Sequence, residues 1–218
     1  MTNSFAKNQP HRRGLLFVLS SPSGAGKTTL AKSLLSSDEN IQMSVSATTR
    51  MPRAREIDGV DYHFVSEEKF AQLIESDELL EYAQVFTNLY GTPKKAVEDL
   101  LSQGKDVLFD IDWQGAQQLH EKMREDMVRV FILPPCVEEL EQRLRKRAQD
   151  NDETIAFRMS RARQEMSHWP EYEYVIINDD FDTALSQLKS ILIAERQKKS
   201  RYTGLNEFVR GLTNDVST

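Results

Sequence analysis

Short apolar runs alternate with longer amphipathic segments along most of the chain. The apolar runs span 15–19, 106–111, 128–133 and 174–177. Strands that are buried on both faces of a parallel sheet have this pattern, because neither face alternates with solvent. The amphipathic segments span 28–35, 113–124, 137–147 and 181–198. Each is long enough to connect two parallel strands, so the pattern predicts the α/β class, with helices wrapped around a parallel sheet.

The stretch 47–103 does not follow this alternation. An Arg- and Pro-rich loop leads to a strand-like run at 61–65, a helix from Glu67 and another strand-like run at 79–86. We expect a turn at 88–92, followed by Pro93 in the first turn of a further helix. This stretch therefore predicts an inserted subdomain of mixed α and β structure. A polar insert at 149–154 predicts the tip of a smaller flap.

Charge and composition narrow the possible partners. The chain has 28 Lys and Arg against 34 Asp and Glu, a net charge of −6 with a pI near 5.4, so it lacks an overall basic field for nucleic acid. No apolar run approaches the roughly 20 residues that span a bilayer, and residues 1–13 lack a secretory pattern. We expect a cytoplasmic protein with neither nucleic-acid nor membrane partners. The single cysteine, Cys136, is expected to be buried or unreactive.

A phosphate-binding loop directly follows the first apolar run. It reads Ser21-Pro22-Ser23-Gly24-Ala25-Gly26-Lys27-Thr28 and leads into a helical pattern, which is the context of a Walker A loop. Gly24 and Gly26 let backbone N–H groups converge on phosphate oxygens, and Lys27 adds a positive charge. Thr28 offers a hydroxyl for Mg²⁺. Ser21 stands where the pattern has glycine, yet the loop still predicts a nucleoside triphosphate ligand.

Two carboxylates end the run that begins at residue 106. Asp110 and Asp112 are two residues apart, so they share one side of a strand at its carboxyl end, where open α/β sheets bind ligands. Asp110 is the candidate for holding Mg²⁺ in the manner of a Walker B residue. Asp112 has a second interpretation as the N-cap of the helix at Trp113.

These motifs, taken with several others, make the chain similar to guanylate kinases from about Gly14 to Lys198. The shared motifs lie at 21–28, 45–53, 59–65, 80–83, 90–92, 110–115 and 175–180. The resemblance implies a P-loop nucleoside-monophosphate-kinase fold, with a parallel five-stranded core sheet, an inserted GMP-binding subdomain and a helical lid. It implies a disordered N-terminal tail at 1–13, a core at 14–46, 104–142 and 164–200, the GMP-binding subdomain at 47–103, the lid at 143–163 and a C-terminal tail at 201–218.

The resemblance also implies an activity. The γ-phosphoryl group of ATP would pass to GMP or dGMP with the help of Mg²⁺, giving ADP and a nucleoside diphosphate, in purine nucleotide metabolism and GMP recycling. No general base is needed, because the acceptor phosphate is already anionic. Cationic groups that neutralise the moving phosphoryl group would supply most of the catalysis.

Candidate GMP-binding residues lie in the insert. Arg50 and Arg53 flank Pro52, and such a fork suits a phosphate dianion. Glu81 interrupts an apolar run and needs a hydrogen-bond donor if it is buried; guanine offers N1–H and its amine, whereas adenine does not. By resemblance, Glu81, Thr92 and Asp112 read the base, Gly91 belongs to the same motif, and the phosphate contacts are Ser46, Arg50, Arg53, Tyr62 and Tyr90. Glu81 could instead be a solvent-facing residue of an edge strand.

The donor side and the lid complete the expected site. Arg143 and Arg147 are four residues apart and so share a helix face. By resemblance they act with Arg158 and Lys27 as the catalytic cations, and Asn178 contacts the adenine. Ala148-Gln149 replaces the family's Gly-Thr after Arg147. Salt bridges on a surface helix are the alternative interpretation of any one of these arginines.

The sequence leaves other functions open. One is a kinase-like binding module that recognises a phosphorylated peptide and has lost catalysis. The presence of Lys27, Thr28 and Asp110 argues against this alternative. Another is an enzyme of the same architecture with a different acceptor, such as another nucleoside monophosphate or a sugar phosphate. Glu81 with Tyr90 and Thr92 is the feature that separates this alternative from GMP. The sequence does not reveal the oligomeric state.

Overall fold

The structure is a computed structural model that describes residues 9–85, 87–147 and 152–214. Its strands are β1 (His11–Arg12), β2 (Leu16–Ser20), β3 (Ile41–Met43), β4 (Ala47–Thr48), β5 (His63–Phe64), β6 (Leu79–Val85), β7 (Asn88–Pro93), β8 (Asp106–Asp110), β9 (Met127–Leu133), β10 (Tyr174–Ile177) and β11 (Tyr202–Thr203). Its α-helices are α1 (Lys27–Ser37), α2 (Glu67–Glu75), α3 (Lys94–Ser102), α4 (Trp113–Met123), α5 (Val137–Arg147), α6 (Asp152–Met166), α7 (Phe181–Arg196) and α8 (Leu205–Asn214).

A parallel core sheet organises the molecule, as predicted. Among the described residues it has five strands, in the order β10-β9-β2-β8-β3. Leu15, Phe17 and Leu19 pack on one face against α1 and α7, whereas Leu16 and Val18 pack on the other against α3 and α4. Strand β2 is therefore apolar throughout because both of its faces are covered. The sequence had missed β3, whose three residues are too few to show a pattern.

The insert forms a second, smaller sheet. Its order in the described chain is β5-β4-β7-β6, and α2 packs on it through Phe70 against Ala47 and Leu79. The predicted turn at 88–92 is wrong, since these residues belong to β7 and pair with β6. Gly91 suggested a turn, but it lets the strands approach: a Cβ there would lie 2.9 Å from the carbonyl oxygen of Glu81. Helix α3 closes the insert and packs its buried residues against the core sheet.

The described residues of the lid predicted at 143–163 belong to helices α5 and α6. Leu140 and Leu144 of α5 pack against Ile155 and Met159 of α6. Much of the flap tip that the sequence placed at 149–154 lies outside the described residues. In the described ranges, no helix is long and apolar enough to cross a membrane.

Both expected tails contain regular structure near the core. His11–Arg12 pairs with Tyr202–Thr203 as a two-stranded antiparallel ribbon, and α8 follows it. The expectation of a disordered segment through residue 13 is therefore wrong for residues 11 and 12, while residues 1–8 and 215–218 lie outside the described chain. Pairing across 190 positions leaves no local pattern, so the sequence could not show it.

A buried ion-pair network attaches this ribbon to the core. The side chain of Asp106, at the start of β8, is fully buried. It accepts hydrogen bonds from Arg12 at 2.5 Å, from Arg196 at 2.6 Å and from the backbone N–H of Leu15 at 3.0 Å. Such a carboxylate is tolerated because its partners replace the water that it loses.

We expect Asp106→Asn to lower the free energy of unfolding by about 3–5 kcal/mol, because it leaves two mostly buried guanidinium groups without their shared counter-charge. Urea unfolding followed by circular dichroism measures the change. Asp99→Asn is the matched control, because Asp99 pairs with Lys95 on an exposed helix face and its loss should cost less than about 0.5 kcal/mol. Equal losses in the two variants would contradict the assigned role of the network.

Candidate active site

The predicted phosphate loop connects β2 to α1 at the carboxyl edge of the core sheet. Gly24 and Gly26 have φ angles of 93° and 97°, in the left-handed region that favours glycine. Gly26 is the N-cap of α1 and makes no side-chain cap bond. The first N–H groups of α1 thus point out of the helix end, where an anion can accept them.

Lys27, Thr28 and Asp110 meet at the end of the loop, as the sequence predicted. The Lys27 ammonium forms an ion pair with Asp110 Oδ1 and donates to the carbonyl of Ile111 at 3.1 Å. Thr28 Oγ1 donates to Asp110 Oδ2 at 3.0 Å. A hydroxyl and a carboxylate oxygen thus lie together, and hard oxygen donors of this kind suit Mg²⁺.

Asn178 holds the phosphate loop in place through a buried hydrogen bond. Its side chain is 6% exposed and donates from Nδ2 to the carbonyl of Ala25 at 2.7 Å. A Cβ on Gly26 would lie only 2.4 Å from that nitrogen. Arg143 of α5 donates to the backbone carbonyl of Asn178 at 3.2 Å. Asn178 thus connects the end of β10, the phosphate loop and a lid arginine.

A cleft of about 450 Å³ opens over this loop. Helices α5 and α6 contribute Arg143 and Glu165 to its wall: Arg143 pairs with Glu139 at 2.8 Å, and Glu165 accepts the N–H of Ser23 at 3.0 Å. The cleft is lined by Ser21, Pro22, Ser23, Gly24, Gly26, Lys27, Thr28, Thr29, Asp110, Asp112, Arg143 and Glu165. Of the other predicted lid cations, Arg158 is half-buried on α6, and the side chain of Arg147 lies outside the described residues.

The predicted base-reading residues come together between the insert and the core. Glu81 is 7% exposed, which rules out the solvent-facing alternative, and Thr92 Oγ1 donates to its Oε1 at 2.6 Å. Burial raises the pKa of Glu81, and the negative charge of Asp112 adds to this shift. Asp112 is also the N-cap of α4, where it accepts the N–H of Gly115 at 3.0 Å. The cap alternative for Asp112 is therefore confirmed.

Three of the predicted phosphate contacts, Arg50, Tyr62 and Tyr90, form a second cluster in the insert. Arg50 lies over the ring of Tyr62 at 5.4 Å, and Tyr62 meets Tyr90 edge-on at 5.9 Å. Glu56 accepts two hydrogen bonds from Arg50, at 2.8 and 3.0 Å, and one from the backbone N–H of Arg53 at 2.8 Å. The hydrogen bond from Arg50 lowers the pKa of Glu56. The side chain of Arg53 is exposed, and Ser46 Oγ lies 3.4 Å from Thr92 Oγ1.

The sequence analysis missed several residues around these clefts. Glu165 was not singled out, because a lone carboxylate in a basic helix resembles a solvated salt-bridge partner. Gln118 donates and accepts across the boundary between α4 and β6, and no pattern in the sequence marks it. Cys136, expected to be buried or unreactive, is not buried: it is exposed, and its Sγ accepts the N–H of Glu139 near the start of α5 at 3.4 Å.

Comparisons with known proteins agree with this arrangement. The family model described as guanylate kinase matches residues 13–195. A guanylate kinase of Bradyrhizobium diazoefficiens is 61% identical over 92% of this chain and 92% of its own length. That of Paramagnetospirillum magneticum is 58% identical over 92% of this chain and 94% of its own. The crystal structure of guanylate kinase from Anaplasma phagocytophilum aligns with a TM-score of 0.71 at 41% identity, covering 92% of this chain and 96% of that one.

We expect Gly26→Ala to weaken ATP binding at least about tenfold, because a Cβ would collide with Asn178 and would also strain a left-handed backbone. Titration calorimetry with a non-hydrolysable ATP analogue measures the affinity. Gly204→Ala is the matched control, since Gly204 has a φ of 75° and nothing lies within 4 Å of an added Cβ. If Gly26→Ala binds the analogue as tightly as Gly204→Ala does, the phosphate loop is wrongly assigned.

Proposed function

The chain belongs to the guanylate kinase family and is an enzyme that phosphorylates GMP at the expense of ATP, and we propose that the two clusters described above divide these substrates between them. The phosphate loop and the lid bind ATP, and the insert binds GMP. Family membership sets aside the binding-module and other-acceptor alternatives. We propose dGMP as a further acceptor, because no base-reading contact depends on the sugar.

The phosphate loop cradles the β- and γ-phosphates. The N–H groups of Ser23 and Ala25 donate to Glu165 and to the carbonyl of Pro22, so those of Gly24, Gly26, Lys27 and Thr28 bind the phosphates, and Lys27 contributes its positive charge. Asn178 keeps Ala25 and Gly26 in position through its buried hydrogen bond. The adenine contact that the family resemblance implies for Asn178 stays a prediction.

Thr28 and Asp110 are the residues that would hold Mg²⁺. Their oxygens already lie 3.0 Å apart, and both are the hard donors that this ion takes. When bound with ATP, Mg²⁺ offsets negative charge on the phosphate oxygens. Lys27, which shares Asp110 with Thr28, supplies a further positive charge to the phosphates.

The buried Glu81 is the observation that carries the assignment of guanine. A nine-tenths buried carboxylate beside a second carboxylate is costly unless a ligand donates hydrogen bonds to the pair. Guanine donates from N1 and from its exocyclic amine to these carboxylates, which frees the Thr92 hydroxyl from Glu81 to donate to O6. Adenine lacks these donors, so Glu81 and Asp112 would keep only their protein partners, Thr92 and Gly115, and would gain no hydrogen bond from the base.

The cluster around Arg50 binds the GMP phosphate. Arg50 presents a planar guanidinium, and the phenol groups of Tyr62 and Tyr90 lie beside it as hydrogen-bond donors. Glu56 accepts two hydrogen bonds from Arg50, so it aligns the guanidinium and shares it with the incoming phosphate. Ser46 and Arg53 take part by family resemblance.

The reaction is an in-line displacement at the γ-phosphorus. An oxygen of the GMP phosphate forms the new bond to phosphorus while the bond to the oxygen bridging the β- and γ-phosphates breaks, giving GDP and ADP. Lys27 and Arg143 flank the loop cleft and neutralise the charge that the moving group carries. By family resemblance, Arg147 and Arg158 join them as the lid closes and excludes water. The cytoplasmic location stays a prediction.

In an ADP-release assay with Mg-ATP, we expect turnover with GMP and dGMP but not with AMP, CMP, UMP or dTMP. Guanine alone offers two adjacent donors to the carboxylates of the base pocket. Lys27→Ala is the control for enzymatic origin, and it should lower kcat/KM by about 10²–10³-fold, as the loss of one charge-stabilising group does elsewhere. Comparable turnover with AMP would contradict the base pocket.

As the pH is lowered, we expect the affinity for GMP to begin to fall at a higher pH than it would if Glu81 had the pKa of an ordinary glutamate. Since the pKa of Glu81 is raised, the carboxylate that guanine needs is lost earlier as the pH falls, with a drop approaching about tenfold per pH unit below that pKa. Titration calorimetry of the wild type and of Glu81→Gln across this range measures the effect. The GMP phosphate itself titrates near about pH 6, and the ratio of the two affinities cancels that contribution. A ratio that does not change with pH would contradict an ionised Glu81 as the base reader.

A further inference from the structure

The free edge of strand β6 faces helix α4. In the order β5-β4-β7-β6, strand β6 pairs only with β7, so one row of its backbone groups has no strand partner in the described sheet. The side chain of Gln118, on α4, takes that place. Its Oε1 accepts the N–H of Tyr82 at 3.0 Å, and its Nε2 donates to the carbonyl of Tyr82 at 3.0 Å. A side-chain amide thus pairs with β6 as the peptide group of a neighbouring strand would.

Other residues of α4 continue this seam. Lys122, one turn after Gln118, donates to the carbonyl of Leu79 at 2.7 Å and pairs with Asp77 at 2.6 Å. Gly115, one turn before, lies under Glu81: a Cβ there would be 3.6 Å from Glu81 Oε2. Residues spaced by three and four share a helix face, so one side of α4 follows β6 for most of its length.

The same helix positions one half of the base pocket. Asp112 is the N-cap of α4, and Glu81 directly precedes Tyr82 on β6. The two carboxylates therefore stand on different parts of the molecule, Asp112 on the core and Glu81 on the insert. The paired hydrogen bonds of Gln118 attach the insert to the core beside this pocket.

We propose that Gln118 is a positioning residue that sets the separation between Glu81 and Asp112 and thereby the selectivity for guanine over adenine. The inference rests on the proposed base pocket. Guanine is a rigid planar ring, and its donors meet both carboxylates only when the carboxylates are correctly spaced. A displacement of about 1 Å in such a site costs up to about 10²-fold in rate. Gln118 makes no contact with the substrate in this role and acts only through the seam.

Gln118→Met tests the proposal, because methionine keeps the length of the side chain and loses both hydrogen bonds. We expect KM for GMP to rise about tenfold and the preference for GMP over AMP to fall about tenfold, while KM for ATP stays within about twofold. Gln118→Glu should lie between this variant and the wild type, since it keeps the acceptor for Tyr82 N–H and loses the donor. Gln117→Met is the matched control, because Gln117 is the adjacent glutamine of α4 and bonds Glu171 instead.

Thermal melting of each variant separates positioning from loss of folding, and GMP affinity by calorimetry gives a readout without turnover. Unchanged KM and preference in Gln118→Met would overturn the proposal, as would equal rises in KM for GMP and ATP.

Glu81→Gln in the same assay distinguishes a failure of the Gln118 proposal from a failure of the proposed base pocket. If Glu81→Gln loses the preference and Gln118→Met keeps it, the role of Gln118 is wrong and the base pocket stands. If Glu81→Gln also keeps the preference, both assignments are wrong.

Discussion

Burial of strand β2 on both faces and both edges is the constraint on which the site depends. Strands β8 and β9 pair with β2 along its length, and helices cover its two faces. The chain that follows β2 can therefore leave the sheet only beyond the carboxyl ends of the strands. The phosphate loop begins there, and the parallel register brings Asp110 to the same edge. Lys27, Thr28 and Asp110 meet because parallel neighbours end together, although 82 positions separate Thr28 from Asp110.

Carboxylates of the protein lie against many of the groups assigned to phosphate binding. Glu165 accepts the N–H of Ser23, Asp110 pairs with Lys27, and Glu56 bonds Arg50 and the backbone of Arg53. These contacts hold the cationic and N–H groups in place and satisfy their hydrogen bonds. The cleft over the phosphate loop is itself lined by two cations and three carboxylates, so the anion sites of this chain of net charge −6 consist of individual cations and N–H groups that acidic partners keep oriented.

In the proposed site, recognition of the acceptor base is shared between the insert and the core. Glu81 belongs to β6, whereas Asp112 caps a helix that packs against the core sheet. Because α4 also closes the free edge of β6, the helix that carries Asp112 holds the strand that carries Glu81. Selectivity then depends on packing between secondary-structure elements as well as on the residues that touch the base.

The sequence by itself determined the α/β class, most core strands, the phosphate loop and the family, because each produces a recognisable pattern in residues that are neighbours along the chain. Continuous apolar runs reflect burial on two faces, and Gly24, Gly26 and Lys27 reflect what a phosphate requires of a loop. Tertiary structure alone decided that Gly91 lies in a strand, that Asp106 binds Arg12 and Arg196, that Asn178 supports the loop and that Gln118 closes the edge of β6. These contacts join residues far apart in the chain, and a buried or paired polar side chain has the same local pattern as a solvated one. Only the three-dimensional arrangement supplies the partner that gives such a residue its role.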